Sequence, residues 1–378
     1  MIIGIDIRVL GNRTKSGVEE YTENLLSHLL SLDRNIKFKL FFSSSRLSLG
    51  DYPWLHLPNV ELHNFKISNK LLFTSTHFLN RPYLDRLIGG ADVFFSPHFL
   101  LTSLSAGCKR VTTFHDLSFI SFPEFFSWRR NFWHQMEMRP RWQSQFSDRI
   151  IAVSESTKND LVKIYNVDPV KIDVVYSGLS TEIKRPGDDL LSQFRSEHNI
   201  PENFILSLGK LEPRKNVGSL IEAFNILKRK SGFSNLHLVI VGSRGWLYED
   251  IFKKINSSPF RNQIILKDHI KDEERRFYYS LASVFVYPSF FEGFGFPPLE
   301  AMACGTATIT AHSSSLPEVM GGASIMINPN NINELASSIY AILLDNNLKT
   351  KILNKGLKQA SRFNWSKTAE ETLVCLTK

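Results

Sequence analysis

Short apolar runs alternate with stretches of helical spacing along most of the chain. Ile2–Val9 is a nearly unbroken apolar run, the pattern of a strand buried on both faces. Leu10–Gly17 is polar and contains glycine. Val18, Tyr21, Leu25, Leu26, Leu29 and Leu30 then recur at helical spacing. Strand, loop and helix open a βα unit. Further strands are predicted at 38–42, 91–96, 110–114, 148–153 and 171–175. Ser154 is a good N-cap for a helix running to Tyr165. Residues 43–80 show turns around Pro53, Pro58 and Asn59 and no clear period. Small, polar and turn residues from Ser177 to Asp188 predict a linker, and after it the alternation restarts. Strands are predicted at 203–208, 236–241, 263–266, 284–287, 307–310 and 323–327. Helices are predicted at 217–230, 273–282, 332–344 and 347–361, with a closing segment at 365–376. Two consecutive βα assemblies of parallel-sheet character follow from this pattern.

The stretch Ser289–Gly305, SFFEGFGFPPLEAMACG, stands out. It predicts a strand ending near Pro288, a glycine-relaxed loop, and a helix that starts and stops within about eight residues. Pro298 suits a first helical turn and Gly305 a C-terminal cap. A helix N-terminus offers free N–H groups to an anion. Glu292, before that helix, and Glu300, expected in its first turn, would hold hydroxyl groups beside the anion.

Composition adds bounds. With 378 residues, 43% hydrophobic and 22% charged, the chain suits about two soluble globular domains. Its net charge of +8 is spread evenly, with 21 Lys/Arg against 17 Asp/Glu in residues 1–180 and 24 against 20 in the remainder. That spread argues against a basic nucleic-acid-binding tail and permits anionic substrates. Cys108, Cys304 and Cys375 have neither metal-ligand nor disulfide spacing, so a reduced cytoplasmic setting is expected. Asp6 and Arg8 interrupt the first apolar run, so it does not read as a signal peptide, and no run is long enough to span a membrane.

Gly209–Asn216 follows the first strand of the second half and carries Lys210, Arg214 and Lys215. A forked donor and an ammonium at a strand end fit a diphosphate. Taken singly, each feature has a plainer reading. A basic loop is usually just solvated, Glu300 would favour its own helix, and His115-Asp116 at another strand end would be structural. Taken together, they lie on strand-end loops of two α/β halves, where such folds bind ligands.

Three segments carry a family resemblance: RIIAVSESTKNDLVKIYNVDPVKIDVVYSG (149–178), GKLEPRKNVGSLIEAF (209–224) and VYPSFFEGFGFPPLEAMACGTATITAHSSSLPEVMGGAS (286–324). The chain resembles family 4 of the retaining glycosyltransferases, nearly end to end. The resemblance implies a GT-B fold, two Rossmann-like βαβ domains facing each other across a deep cleft. These would be an acceptor domain over 1–180, a nucleotide-sugar domain over 181–361, and a helix at 362–378 packing back on the first. It implies that Arg214 and Lys215 bind the donor diphosphate, and that Glu300 binds ribose hydroxyls. Glu292 would lie by the donor sugar, near the N–H groups of Gly293, Phe294, Gly295 and Phe296. His115 would contact the sugar near the reacting carbon, Gly17 would let its loop close, and Ile270, after Lys267-Asp-His, would sit by the base. Many members have Gly-Gly where this chain has Ser16-Gly17.

The expected activity is transfer of a hexose, mannose from GDP-mannose on the strength of His115-Asp116-Leu117 and the SFISFPE that follows. The acceptor would be a glycan or lipid-linked saccharide in surface-polysaccharide synthesis. A UDP-sugar donor, or a GT-B-like epimerase acting without an acceptor, is the alternative. A non-catalytic sugar-binding module would not need both carboxylates. No cofactor is expected, and the absence of an Asp-x-Asp run predicts no metal site. The aromatic and arginine-rich stretch 122–146 is expected to be helical, either on a membrane surface or lining the acceptor side with Asp116, Arg129 and Arg130.

Overall fold

The computed structural model describes residues 1–11, 17–45, 49–268 and 270–378. Ser16 and His269 fall outside these. The chain forms two units. Met1–Ser121, Trp128–Gly178 and Asn364–Lys378 make the first, and Phe122–Ser127 with Leu179–Phe363 the second.

The first unit is built on seven parallel strands: β1 Ile2–Asp6, β2 Lys37–Ser43, β3 Val60–Phe65, β4 Val93–Ser96, β5 Lys109–Phe114, β6 Arg149–Ala152 and β7 Ile172–Val174. Their order is β3-β2-β1-β4-β5-β6-β7. β1 therefore pairs with β2 on one side and β4 on the other, Ile3 lying opposite both Phe38 and Val93. The order of connection reverses at that point, and doubly wound sheets bind ligands beyond the strand ends at such a switch. Burial on both faces explains the continuous apolar runs of the inner strands. β3 is an edge strand with alternating exposure, which is why VELHNF gave no strong signal. The helix Trp365–Thr377 packs on the helix Gly17–Leu29, with Trp365 edge-on to Tyr21.

The second unit has six parallel strands: β8 Phe204–Leu208, β9 His237–Val241, β10 Ile264–Lys267, β11 Val284–Tyr287, β12 Thr308–Ala311 and β13 Ile325–Ile327. Their order is β10-β9-β8-β11-β12-β13. The switch here lies between β8 and β11, with Ile205 opposite Val284. Phe204, Leu206, Phe224, Leu238, Val284 and Phe285 fill its core.

Helices at Asn69–Leu79, Asp188–His198, Glu249–Ser257 and Leu316–Met320 were not legible in the pattern. The second begins inside the expected linker, where Asp188 and Asp189 occupy the first turn and favour the positive helix end.

Residues 122–146 are not one helix. A 3₁₀ turn at Pro123–Phe125 is followed by an α-helix at Trp128–Phe132, a π-helical turn at Trp133–Glu137 and a helix at Pro140–Phe146. Arg139 takes a left-handed conformation, and Pro140, which has no N–H to donate, starts the last helix. Phe122–Phe126 packs within the second unit. Phe122 meets Phe291, Phe125 stacks on Phe290, Phe126 stacks on Trp246, and the Trp246 indole N–H donates to the Phe125 carbonyl at 2.6 Å.

Candidate active site

β8 and β11 flank the switch of the second unit, and the loops after them are stitched together. The Phe290 N–H donates to the Arg214 carbonyl at 2.9 Å, and the Ser289 hydroxyl oxygen lies 3.0 Å from that carbonyl. The Asn216 side chain, on a left-handed residue, donates to the carbonyls of Pro288 and Pro329. These bonds bring Arg214 and Lys215, on one loop, to Glu292 on the other. Arg214 Nη1 lies 3.0 Å from Glu292 Oε2, and Lys215 Nζ lies 2.7 Å from Oε1. The Ser289 hydroxyl donates to Oε1 at 2.6 Å.

Two more groups steer the cations. Glu212 accepts Nε and Nη2 of Arg214 on one oxygen, at 3.1 and 2.7 Å. The Tyr287 hydroxyl accepts from Lys215 Nζ at 2.5 Å. Glu212 and Tyr287, like Ser289, were not read from the sequence. The signal was available for Glu212, two residues before Arg214, where a carboxylate and a guanidinium can close a local pair.

Burial favours the neutral acid of Glu292, but Arg214 and Lys215, with the hydrogen bonds of Lys215 and Ser289, outweigh it and hold the group down to about 2. The carboxylate is ionised at neutral pH. Burial draws the Lys215 ammonium below its ordinary value, against the pull of Glu292. Two cations and two carboxylates, Glu212 and Glu292, thus form a nearly neutral buried cluster. An anion that reaches Arg214 and Lys215 must compete with Glu292 for their N–H donors.

The helix after this loop is Phe296–Ala303, with Gly295 before it at φ +106°. A side chain at Gly295 would be strained there, and its Cβ would sit 2.8 Å from Leu316 Cδ2. Gly305 at φ +74° closes the helix. Its N–H donates to Met302 O and that of Thr306 to Ala301 O, each at 3.0 Å. Because the helix starts at Phe296, Glu300 lies in its second turn and not, as expected, in its first. Its side chain is only 2% exposed. Arg275 donates to Oε1 at 3.0 Å and the Tyr279 hydroxyl to Oε2 at 2.7 Å. Arg275 and Tyr279, one turn apart on the helix Arg275–Leu281, were also missed, since nothing in sequence ties them to a carboxylate 25 and 21 residues on.

The other expected donor-side residues have varied surroundings. Gly293 belongs to the Glu292 loop. Phe294 is buried against Phe296 and Phe363, and its carbonyl accepts the Ser315 hydroxyl at 3.0 Å. Ile270 packs on the core of the second unit. Lys210 is exposed.

In the first unit Gly17 begins its helix, and a Cβ there would meet no described atom within 4 Å. His115 ends β5. Its Nε2–H donates to the Pro97 carbonyl at 2.8 Å, and its ring lies edge-on to Tyr21 and 5.5 Å from His98. Burial lowers its pKa, so the ring is neutral at pH 7 with Nδ1 as its acceptor nitrogen. Asp116 accepts the N–H and hydroxyl of Ser118 at 3.0 and 2.7 Å. Arg129 and Arg130 are exposed, Arg129 lying over Trp128.

Two Rossmann-type units, one with paired cations on a switch-point loop, have the architecture of the GT-B class. The chain belongs to the family 4 glycosyltransferases: the Glycosyltransferase Family 4 model matches residues 15–183 and the "Glycosyl transferases group 1" model residues 191–359. O-antigen chain mannosyltransferase B of Escherichia coli is 29% identical over 78% of this chain and 74% of its own length. Serotype-specific mannosyltransferase WbdA of E. coli is 28% identical over 71% of this chain, which spans only 33% of that protein. The crystal structure of Anabaena Alr3699/HepE in complex with UDP and glucose superposes with a TM-score of 0.74 at 16% identity, covering 100% and 99% of the two chains. That likeness is one of fold.

Proposed function

We propose that this chain transfers mannose from GDP-mannose to a glycan or lipid-linked saccharide in surface-polysaccharide synthesis, on the cytoplasmic side of a membrane that it touches peripherally. Retention of anomeric configuration and independence from metal are part of the proposal. The observation that carries it is the Arg214–Lys215–Glu292 cluster at the β8/β11 switch. The names of the E. coli relatives support the choice of sugar and polymer.

In this reading the donor diphosphate takes Arg214 and Lys215 from Glu292. The two cations stabilise the charge that develops on the leaving phosphate as the bond to the sugar breaks. Glu292, released from them, faces the sugar; the sugar–phosphate bond breaks, the sugar carbon bonds to the acceptor oxygen on the face the phosphate leaves, and the acceptor's hydroxyl proton passes to the departing phosphate oxygen. Glu300, steered by Arg275 and Tyr279, holds the ribose. Lys210, Ile270 and the backbone from Gly293 to Phe296 complete the donor contacts. His115 is assigned to the reacting sugar, Gly17 to loop closure, and Asp116, Arg129 and Arg130 to the acceptor.

A thermal-shift panel of nucleotide sugars tests the donor, because a ligand that binds only the native state raises the midpoint by mass action. GDP-mannose is expected to raise it. A rise with a UDP-sugar and none with GDP-mannose would overturn the donor choice. Transfer surviving excess EDTA tests metal independence, and the anomeric configuration of the product tests retention.

A further inference from the structure

His98 follows β4 and has no part in the reaction as proposed. β4 lies between β1, at the switch of the first unit, and β5, which His115 follows. The backbone around His98 is held on both sides. The Pro97 carbonyl accepts from His115, and the Phe99 carbonyl accepts the side-chain amide of buried Gln143 at 2.6 Å. The His98 ring rests on Phe99, 4.4 Å between centres, and Phe99 stacks on Phe114 at 5.0 Å. Packed neighbours therefore fix where this imidazole sits.

Its two nitrogens have unlike surroundings. Nδ1 is buried and meets no hydrogen-bond partner among the described residues. A neutral imidazole carries one N–H and one lone pair. A sealed N–H without an acceptor is the worse orphan of the two, so the lone pair belongs on Nδ1 and the proton on Nε2. His98 is partly exposed, which leaves Nε2 as the nitrogen a ligand can reach. Burial, with His115 and His134 nearby, draws the pKa of His98 well below its ordinary value, so the ring is neutral at pH 7. A neutral N–H suits a hydroxyl oxygen and brings no charge to an anion.

We infer that His98 recognises the acceptor, its Nε2–H donating to a ring hydroxyl of the acceptor's terminal sugar, next to the reacting sugar at His115. The ring centres of His98 and His115 are 5.5 Å apart, so a sugar at one is within a hydroxyl's reach of the other. The donor's phosphates, ribose and base are all assigned to the second unit. A second hydroxyl-seeking group at the strand ends of the first unit therefore falls to the acceptor. A site built to hydrogen-bond a substrate hydroxyl rejects analogues that lack it, so His98 helps to set which sugar is extended. The inference rests on the glycosyl-transfer reading and not on the choice of donor.

Long-range proton–nitrogen spectra of the full chain, labelled at histidine, test it, with methyl α-D-mannopyranoside as the probe. Free His98 is expected as the Nε2–H tautomer, and the glycoside is expected to shift its Nε2 resonance. His98→Gln sets an amide nitrogen near the place of Nε2, and His98→Asn near that of Nδ1. Followed by backbone amide shifts, the Gln variant should bind the glycoside within about threefold of wild type. The Asn variant and His98→Ala should bind it about tenfold more weakly, the scale of one lost hydrogen bond. GDP should bind all three as it binds wild type. A role in packing alone would not separate Gln from Asn. The inference is overturned by an Nδ1–H tautomer, by a glycoside that leaves His98 unshifted, or by equal loss in the Asn and Gln variants. GDP binding that falls together with the glycoside's would also overturn it. If the wild type binds the glycoside through His98 yet transfers no sugar, the transferase reading fails and the sugar site at His98 stands.

Discussion

Glu292 is bound to the two groups that a diphosphate would need, and this sets up a division between binding and turnover. Glu292→Gln should abolish transfer, with kcat falling at least 10²-fold, the scale of losing an electrostatic contact at a reacting centre. The same variant frees Arg214 and Lys215 from a charged competitor. Calorimetry should then show the nucleoside diphosphate product binding about tenfold tighter. Lys215→Ala should abolish transfer and weaken that binding, with circular dichroism unchanged in both variants. The pair also predicts an acid limit. The folded pKa of Glu292, about 2, lies below its ordinary 4.5. The unfolded chain therefore binds more protons between those values, and stability falls as pH drops through that window. The loss is about 3 kcal/mol. Urea unfolding at pH 6, 4 and 2.5 should follow this fall, and Glu292→Gln should flatten it.

Asp160 has the opposite sign. It lies on the helix Glu155–Tyr165, and burial raises it to about 6, with Asp116 adding to the effect. Its ionised form therefore costs stability, and the cost grows as pH rises from 3.8 through 6. Asp160→Asn should stabilise the chain at pH 7.5 by about 1 kcal/mol, allowing for solvent screening of a half-buried group. The gain should vanish near pH 4 in thermal melts. Among the site residues, the sequence was informative wherever chemistry repeats locally: Arg214 and Lys215 adjoin, and Glu292 sits in a glycine-rich turn. Tyr287, Arg275 and Tyr279 were hidden because their roles depend on which strands become neighbours.

At the scale of elements, the helix Phe296–Ala303 shows what local rules can fix. Proline near its start, good helix formers within and glycine after it predicted a short helix, and its eight residues and C-terminal cap match. Its start, two residues before Pro298, was not predicted, because it depends on left-handed Gly295 and the packing of Leu316 beyond it. Gly295→Ala should cost about 1–3 kcal/mol from strain and overlap, read as a lower urea midpoint at unchanged slope. The inner strands were legible because burial on both faces leaves an unbroken apolar run. Edge strand β3 and the broken stretch 122–146 were not, the first for its alternation and the second because a left-handed Arg139 carries no sequence mark.

For the whole molecule, the parallel alternation announced two α/β units, and their strand orders are those of doubly wound sheets. What periodicity did not reveal is that Phe122–Ser127 belongs with the second unit. A six-residue excursion has no period of its own, and its phenylalanines read equally well as a helix face.

The first unit is assembled from three separated pieces of chain, the last being Asn364–Lys378. Synthesis runs from the N-terminus, so Leu179–Phe363 is complete before that piece has left the ribosome. Until then, Tyr21 and its neighbours on the Gly17–Leu29 helix lack the cover of Trp365. The half made first must therefore finish second, and it stays exposed to chaperones and proteases in the interval. Nascent chains arrested at increasing lengths and pulsed with protease should show the second half becoming resistant before the first. Simultaneous protection of both halves would contradict this order.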